Sequence, residues 1–193
     1  MIYHLILPII NIAYNFSPCS AIIISAVDYR KTFFPKPDLT RTLVIPTYNY
    51  LHQIKLDLKF NALYVHSNLG GTTHGHIGLL MTNTNYATLS NFPYVCTVHP
   101  GILQIPNNAT RVASYKLNRV YYKNLQVFHE LCGVKQAIIQ QFFTAIDEQY
   151  IISMNNRAVG QFTGNMHHIF AYLLAMYGKI SLSRLNDFKK EVT

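Results

Sequence analysis

The sequence predicts a mainly α-helical bundle carrying one irregular, loop-rich insert at about residues 70–109. Three observations carry this expectation. Apolar residues recur at spacings of three and four over residues 48–65 and again from residue 110 nearly to the end, which is the period of a half-buried helix. Between those stretches, turn formers break the chain into short pieces: Gly75, Gly78, Asn91, Pro93, Pro100, Gly101, Pro106 and Asn107-Asn108. Finally, half of the 193 residues are hydrophobic, enough to bury a core without disulfide or metal staples.

Taken in order, residues 1–27 carry no Lys, Arg, Asp or Glu. They resemble neither a secretory signal, which needs a basic start, nor a spanning helix, which needs about 20 mainly apolar residues. Asn11, Asn15, Ser17, Pro18 and Ser20 interrupt the run. Residues 1–32 are therefore expected to be a divergent apolar extension, with the helical domain at 33–193 and a sub-division near residue 109. Pro35, Pro37 and Pro46 make residues 33–46 an extended connection. Tyr48, Leu51, Ile54, Leu58, Ala62 and Val65 then form one helical stripe, with Thr47 as its N-cap and Gly70-Gly71 as its stop. Within the insert, a turn or two of helix is expected over Tyr86 to Leu89, and a short β-hairpin at best elsewhere. A long helix follows from Thr110 to Cys132, stopped by Gly133, and a second takes Val134, Ile138, Phe142, Ala145 and Ile146 inward. Tyr150, Ile151 and Met154 suggest a short continuation. Met166, Ile169, Phe170, Leu173, Leu174 and Tyr177 make a strong stripe ended by Gly178, and Ser181 caps a last helix.

Charge is sparse and unevenly placed. Only 12% of residues are charged, 16 basic against 8 acidic, for a net charge of +8. The sparseness excludes a charge-driven disordered chain, and the sign invites an acidic partner such as nucleic acid. Residues 60–110 carry no charge, no acid occurs from Lys59 to His129, and Arg111, Lys116, Arg119 and Lys123 fall close together. On a helix these four share one face or its border, with Tyr121-Tyr122 nearby. Such a face neutralises phosphates and offers rings for stacking on bases; the plainer alternative is a solvated helix face. Three cysteines are too few for a disulfide framework, so a reducing, cytoplasmic setting is expected unless residues 1–27 act as a signal or anchor.

Other constellations are weaker. His74 and His76, with Cys96 and His99 downstream, are the best metal candidate, since zinc takes Cys and His ligands. Against it, the region has no carboxylate to support the ligands, and loop histidines bonded to backbone carbonyls are the alternative. His167 and His168 point about 100° apart on a helix and do not chelate one ion together. Cys132 with His129 lacks an orienting third group and reads as a small buried hydrophobe. The carboxylates are scattered, and Gly70-Gly71-Thr72-Thr73 has no following Lys-Ser or Lys-Thr. No enzyme motif, cofactor motif or small-molecule site emerges.

Several runs occur in a suggestive order: Phe34-Pro35-Lys36-Pro37-Asp38-Leu39-Thr40, Val65-His66-Ser67-Asn68-Leu69-Gly70-Gly71 and His74-Gly75-His76-Ile77-Gly78-Leu79. They are followed by Tyr86-Ala87-Thr88-Leu89, Val98-His99-Pro100-Gly101, Ala145-Ile146-Asp147 and Tyr177-Gly178-Lys179-Ile180-Ser181. From about Phe33 to Val192 this resembles the gag-like, capsid-related segment of Copia-type long-terminal-repeat retrotransposons. The resemblance implies a helical, non-enzymatic structural protein that self-associates into particles around RNA, with the His-Gly-His run as a structured loop. It supplies no catalytic or metal residues. Three departures accompany it: residues 1–27 do not match, no zinc knuckle follows, and no protease, integrase or reverse transcriptase segment is present, as expected for a fragment or solitary remnant of the polyprotein.

The sequence thus points to a homo-oligomer that contacts RNA through Arg111, Lys116, Arg119 and Lys123, uses no cofactor and is not a membrane protein. The alternatives are a small basic nucleic-acid-binding module and a zinc-dependent protein built on His74, His76, Cys96 and His99.

Overall fold

The computed structural model describes residues 26–42, 44–152 and 165–178. Five helices carry the fold: α1 (Ala26–Phe33), α2 (Tyr48–Tyr64), α3 (Asn83–Ala87), α4 (Arg111–Ala145) and α5 (Met166–Tyr177), with 3-10 turns at Ile77–Leu80 and Glu148–Tyr150. No strand occurs among the described residues, so the fold is mainly α, and the insert is turns and short helices without a hairpin. No helix among them is long and apolar enough to cross a membrane.

One core joins these elements. Leu51, Ile54, Leu58 and Ala62 of α2 meet Val134, Ile138 and Phe142 of α4 and Ile169, Phe170 and Leu173 of α5, all buried. Phe142 and Phe170 touch edge to face with centroids 5.3 Å apart. Each such side chain, fully withdrawn from water, contributes about 1.5–3 kcal/mol before the cost of ordering it.

Helix ends follow local chemistry where a cap is at hand. Thr47 accepts a hydrogen bond from the Tyr50 amide through Oγ1 and starts α2, as expected. Asn165 does the same for α5 through the His168 amide, and Gly178 closes α5 with its N–H on the Leu174 carbonyl. His167 is half-buried and His168 exposed, as their angular separation requires.

Four boundaries differ from the sequence expectation. First, α2 ends at Tyr64, well before Gly70-Gly71. The amide of His76 donates to the Ala62 carbonyl at 2.7 Å, and Gly75 at φ +50° lies so close to the carbonyls of Ala62, Leu63 and Val65 that a Cβ there would clash. The turn supplies the helix end from ten to fourteen residues away. Second, the short insert helix spans Asn83–Ala87, displaced toward its Thr82 N-cap, which accepts from the Asn85 amide. Third, Gly133 does not stop a helix: α4 runs through it without a break for 35 residues. A Cβ at Gly133 would sit 3.0 Å from Cε2 of Tyr29, so the missing side chain lets α1 approach α4 closely. Fourth, α1 crosses the 32/33 boundary and is part of the core, with Tyr29 and Phe34 buried. Met154 and the helix expected after Ser181 lie outside the described residues, as does the extension before residue 26.

The proline-rich connection after α1 is gripped rather than loose. Asn61 of α2 and Gln141 of α4, both fully buried, bond to each other and to this segment. Asn61 Oδ1 accepts from the Lys36 amide at 3.0 Å, Asn61 Nδ2 donates to the Lys36 carbonyl at 2.8 Å, and Gln141 Nε2 donates to the carbonyls of Lys36 and Pro37. Farther along, the Thr42 amide takes the last carbonyl of α4, that of Ala145, at 3.2 Å. Arg41 reaches Asp147 at 3.6 Å, and Lys36 pairs with Asp57.

Candidate nucleic-acid interface

At about 1.5 Å per residue, α4 is about 52 Å long. Only its second half belongs to the core. The first buried residue is Leu131, so residues 111–127 extend from the body as an arm. Thr110 starts it, its Oγ1 accepting from the Ala113 amide at 3.2 Å. One side of the arm is covered by the loop after the insert: Tyr121 donates its hydroxyl to the Gly101 carbonyl at 3.0 Å, and His99 meets Phe128 edge to face.

Taking 100° per residue from Arg111, the half-buried Ser114, Asn118, Tyr121, Leu125 and Phe128 fall at about 260–340°. Arg119, Lys123 and Lys116 fall at about 80°, 120° and 140°, on the opposite side, and Arg111 at about 0° borders the covered side. All four are exposed. Tyr115 and Tyr122, 69% and 61% exposed, lie two turns apart at about 40° and 20°, inside the same sector.

Nothing on the arm offsets these cations. Its first turn holds no acid, although the helix dipole would favour one there. The nearest acid along α4 is Glu130, and that carboxylate already faces His76. The arm therefore carries an exposed face of positive charge, with no ion pair to it among the described residues and aromatic rings set between the cations. Such a face is complementary in charge to a polyanion.

The histidine and cysteine candidates do not converge. Among the described residues, no three His, Cys, Asp or Glu side chains come together as a metal site. His74 Nε2 bonds the Leu89 carbonyl at 2.9 Å, His99 Nδ1 accepts from the Gly101 amide at 3.0 Å, and Cys96 is exposed. His76 is buried between two partners, Tyr94 Oη at 2.9 Å from Nδ1 and Glu130 Oε1 at 3.1 Å from Nε2. A carboxylate only accepts, so Nε2 donates to Glu130, while Nδ1 shares a hydrogen bond with the tyrosine hydroxyl. Burial, then the neighbouring Cys96, Tyr86 and Glu130, push Tyr94 far above the usual tyrosine range, keeping that hydroxyl protonated. His76 is thus a strut tying the insert to the base of the arm. Sequence reasoning missed it because Glu130 lies 54 residues away. Cys132 is half-buried, and His129 packs its ring on Phe128.

No protein-family model, curated protein or solved structure matches this chain.

Proposed function

We propose that this chain is a non-enzymatic, gag-like structural protein that self-associates and contacts RNA through the exposed basic face of α4. The carrying observation is the placement of Lys116, Arg119 and Lys123 opposite the side that packs on the protein, with Arg111 at the border of their sector, on an acid-free arm. Two features support it. Tyr115 and Tyr122 lie among the cations, where rings stack on unpaired bases. The His-Gly-His run, one of the segments that carry the resemblance to Copia-type gag, has its second histidine, His76, held between Tyr94 and Glu130.

The test is RNA binding as a function of salt. A labelled single-stranded oligonucleotide should bind with a log-log salt slope of about −2.8 if four phosphates are neutralised at about −0.7 each. Changing all four cations to Gln should flatten the slope while circular dichroism stays unchanged. Binding indifferent to salt, or unaltered in that variant, rejects the interface. Light scattering on the purified chain separates an assembling protein from a simple binding module: a strict monomer at tens of micromolar, with and without RNA, rejects assembly.

A further inference from the structure

Within the basic face of α4 one dipeptide occurs twice. Tyr115-Lys116 and Tyr122-Lys123 stand seven residues apart, with Arg119 between them. Seven residues make two turns less about 20°, so the second pair repeats the first about 10.5 Å farther along the helix. In each pair the lysine lies about 100° round from its tyrosine, and Arg119 falls between the two rows at about 80°. The rings are 69% and 61% exposed, and both lysines and Arg119 are exposed.

The remaining tyrosine of the arm differs. Tyr121 is half-buried, and its hydroxyl is held by the Gly101 carbonyl. Its ring meets that of Tyr122 edge to face, with centroids 5.4 Å and planes 81° apart. The exposed ring of Tyr122 therefore stands against an anchored neighbour.

We propose that the two Tyr-Lys pairs are successive stations for one unpaired nucleic-acid strand. Each tyrosine stacks on a base, while the lysine beside it and Arg119 between them take the backbone phosphates. This rests on the RNA contact in the proposed function and names its substrate class: single-stranded, with little preference for base sequence. The rings sit in one row and the lysines in another, both parallel to the helix axis, which suits a strand with bases on one side and phosphates on the other. Charge selects the occupant, because no acid occurs from Lys59 to His129. Stacking selects the unpaired form, since a duplex already covers both faces of its interior bases and leaves the rings nothing to gain. The amide between the pairs, that of Asn118, is half-buried and bonded to the Ser114 carbonyl, away from any base edge. At about 3.4 Å per stacked nucleotide the rings are about three steps apart, so a stacked strand needs about four nucleotides to reach both.

Fluorescence anisotropy on the full chain tests this with three probes: an oligouridylate of about ten nucleotides, an RNA duplex of the same strand length, and an abasic ribose-phosphate strand of that length. At equal salt the oligouridylate should bind at least tenfold more tightly than the duplex. The double variant Y115A/Y122A should lose at least tenfold in affinity for the oligouridylate, with its helicity, its salt slope and its duplex binding unchanged. Y115F/Y122F should stay within about threefold of wild type, because stacking uses the ring and not the hydroxyl. Wild type should hold the abasic strand about as weakly as Y115A/Y122A holds the oligouridylate.

Equal affinity for strand and duplex, or full affinity in Y115A/Y122A, overturns the stacking stations and leaves the salt-dependent contact standing. A loss in Y115F/Y122F as large as in the alanine variant also overturns them, since the hydroxyls would then be the binding groups. Unaltered binding by the four-cation variant overturns the RNA interface of the proposed function, and the stations with it.

Discussion

Asn61 donates through Nδ2 to Oε1 of Gln141 at 3.0 Å, joining α2 to α4 in the middle of an apolar core. Buried amides are costly unless every group is paired, and here the remaining donors and acceptors close on the Lys36–Pro37 backbone. Together they fix the strap that leads from α1 to α2.

Gln141→Leu should therefore destabilise the protein by about 2–4 kcal/mol, because it strands both the Asn61 amide and the strap carbonyls. A double-mutant cycle with Asn61→Leu, read by urea unfolding, should show coupling of about 1 kcal/mol or more. Additive losses would mean that each amide acts on the strap alone.

Gly133 offers a sharper test, because two readings predict opposite signs. In a helix interior, Gly→Ala is worth about 1 kcal/mol of added stability. Here the new methyl meets Tyr29, so G133A should instead lower stability by about 1 kcal/mol in the native protein. In a Tyr29→Ala background the clash is gone, and the same change should raise stability by about 1 kcal/mol. A gain in both backgrounds would show that α1 does not need the close approach.

His76→Ala leaves the Tyr94 hydroxyl without its hydrogen-bond partner in a buried setting and opens a void, so a loss of about 3 kcal/mol is expected. His76→Gln, which keeps some hydrogen bonding, should lose less. Hydrogen exchange should place the extra opening in the insert, with the α2–α5 core amides still protected.

Burial, with a smaller contribution from Glu130, raises Tyr29 from its ordinary value to about 12. A phenol whose folded pKa exceeds its unfolded one stabilises the fold fully below the unfolded pKa, and that contribution is lost as pH rises through the folded value. Stability should thus hold to about pH 10 and fall between about pH 10 and 12. Tyr29→Phe should flatten part of that fall in thermal melts. An unchanged alkaline slope would assign the loss to the other buried tyrosines.

What was readable in the sequence was what neighbours in the chain decide. Thr47 and Gly178 mark helix ends through bonds to residues three or four away, and the angles of the four cations follow from helical geometry alone. The errors share a different cause. Gly133 reads as a stop in the sequence because its partner, Tyr29, is more than a hundred residues distant. The end of α2 is set by His76, and α1 carries too few residues to show a period, its burial depending on α4. His76 looks like a metal ligand in the sequence because the acid that engages it, Glu130, lies beyond the insert. The Asn61–Gln141 pair had no signature, since polar residues inside a helical stripe look like its edge.

The unbroken path of α4 through Gly133 has a mechanical consequence. A joint at that point would let the projecting segment swivel, and each docking event would have to spend free energy stilling it. With Tyr29 lodged beside the glycine, torque applied at Arg111 passes down a single stiff lever to the Phe142–Phe170 contact. Whatever grips the far end thereby sets the attitude of the whole body.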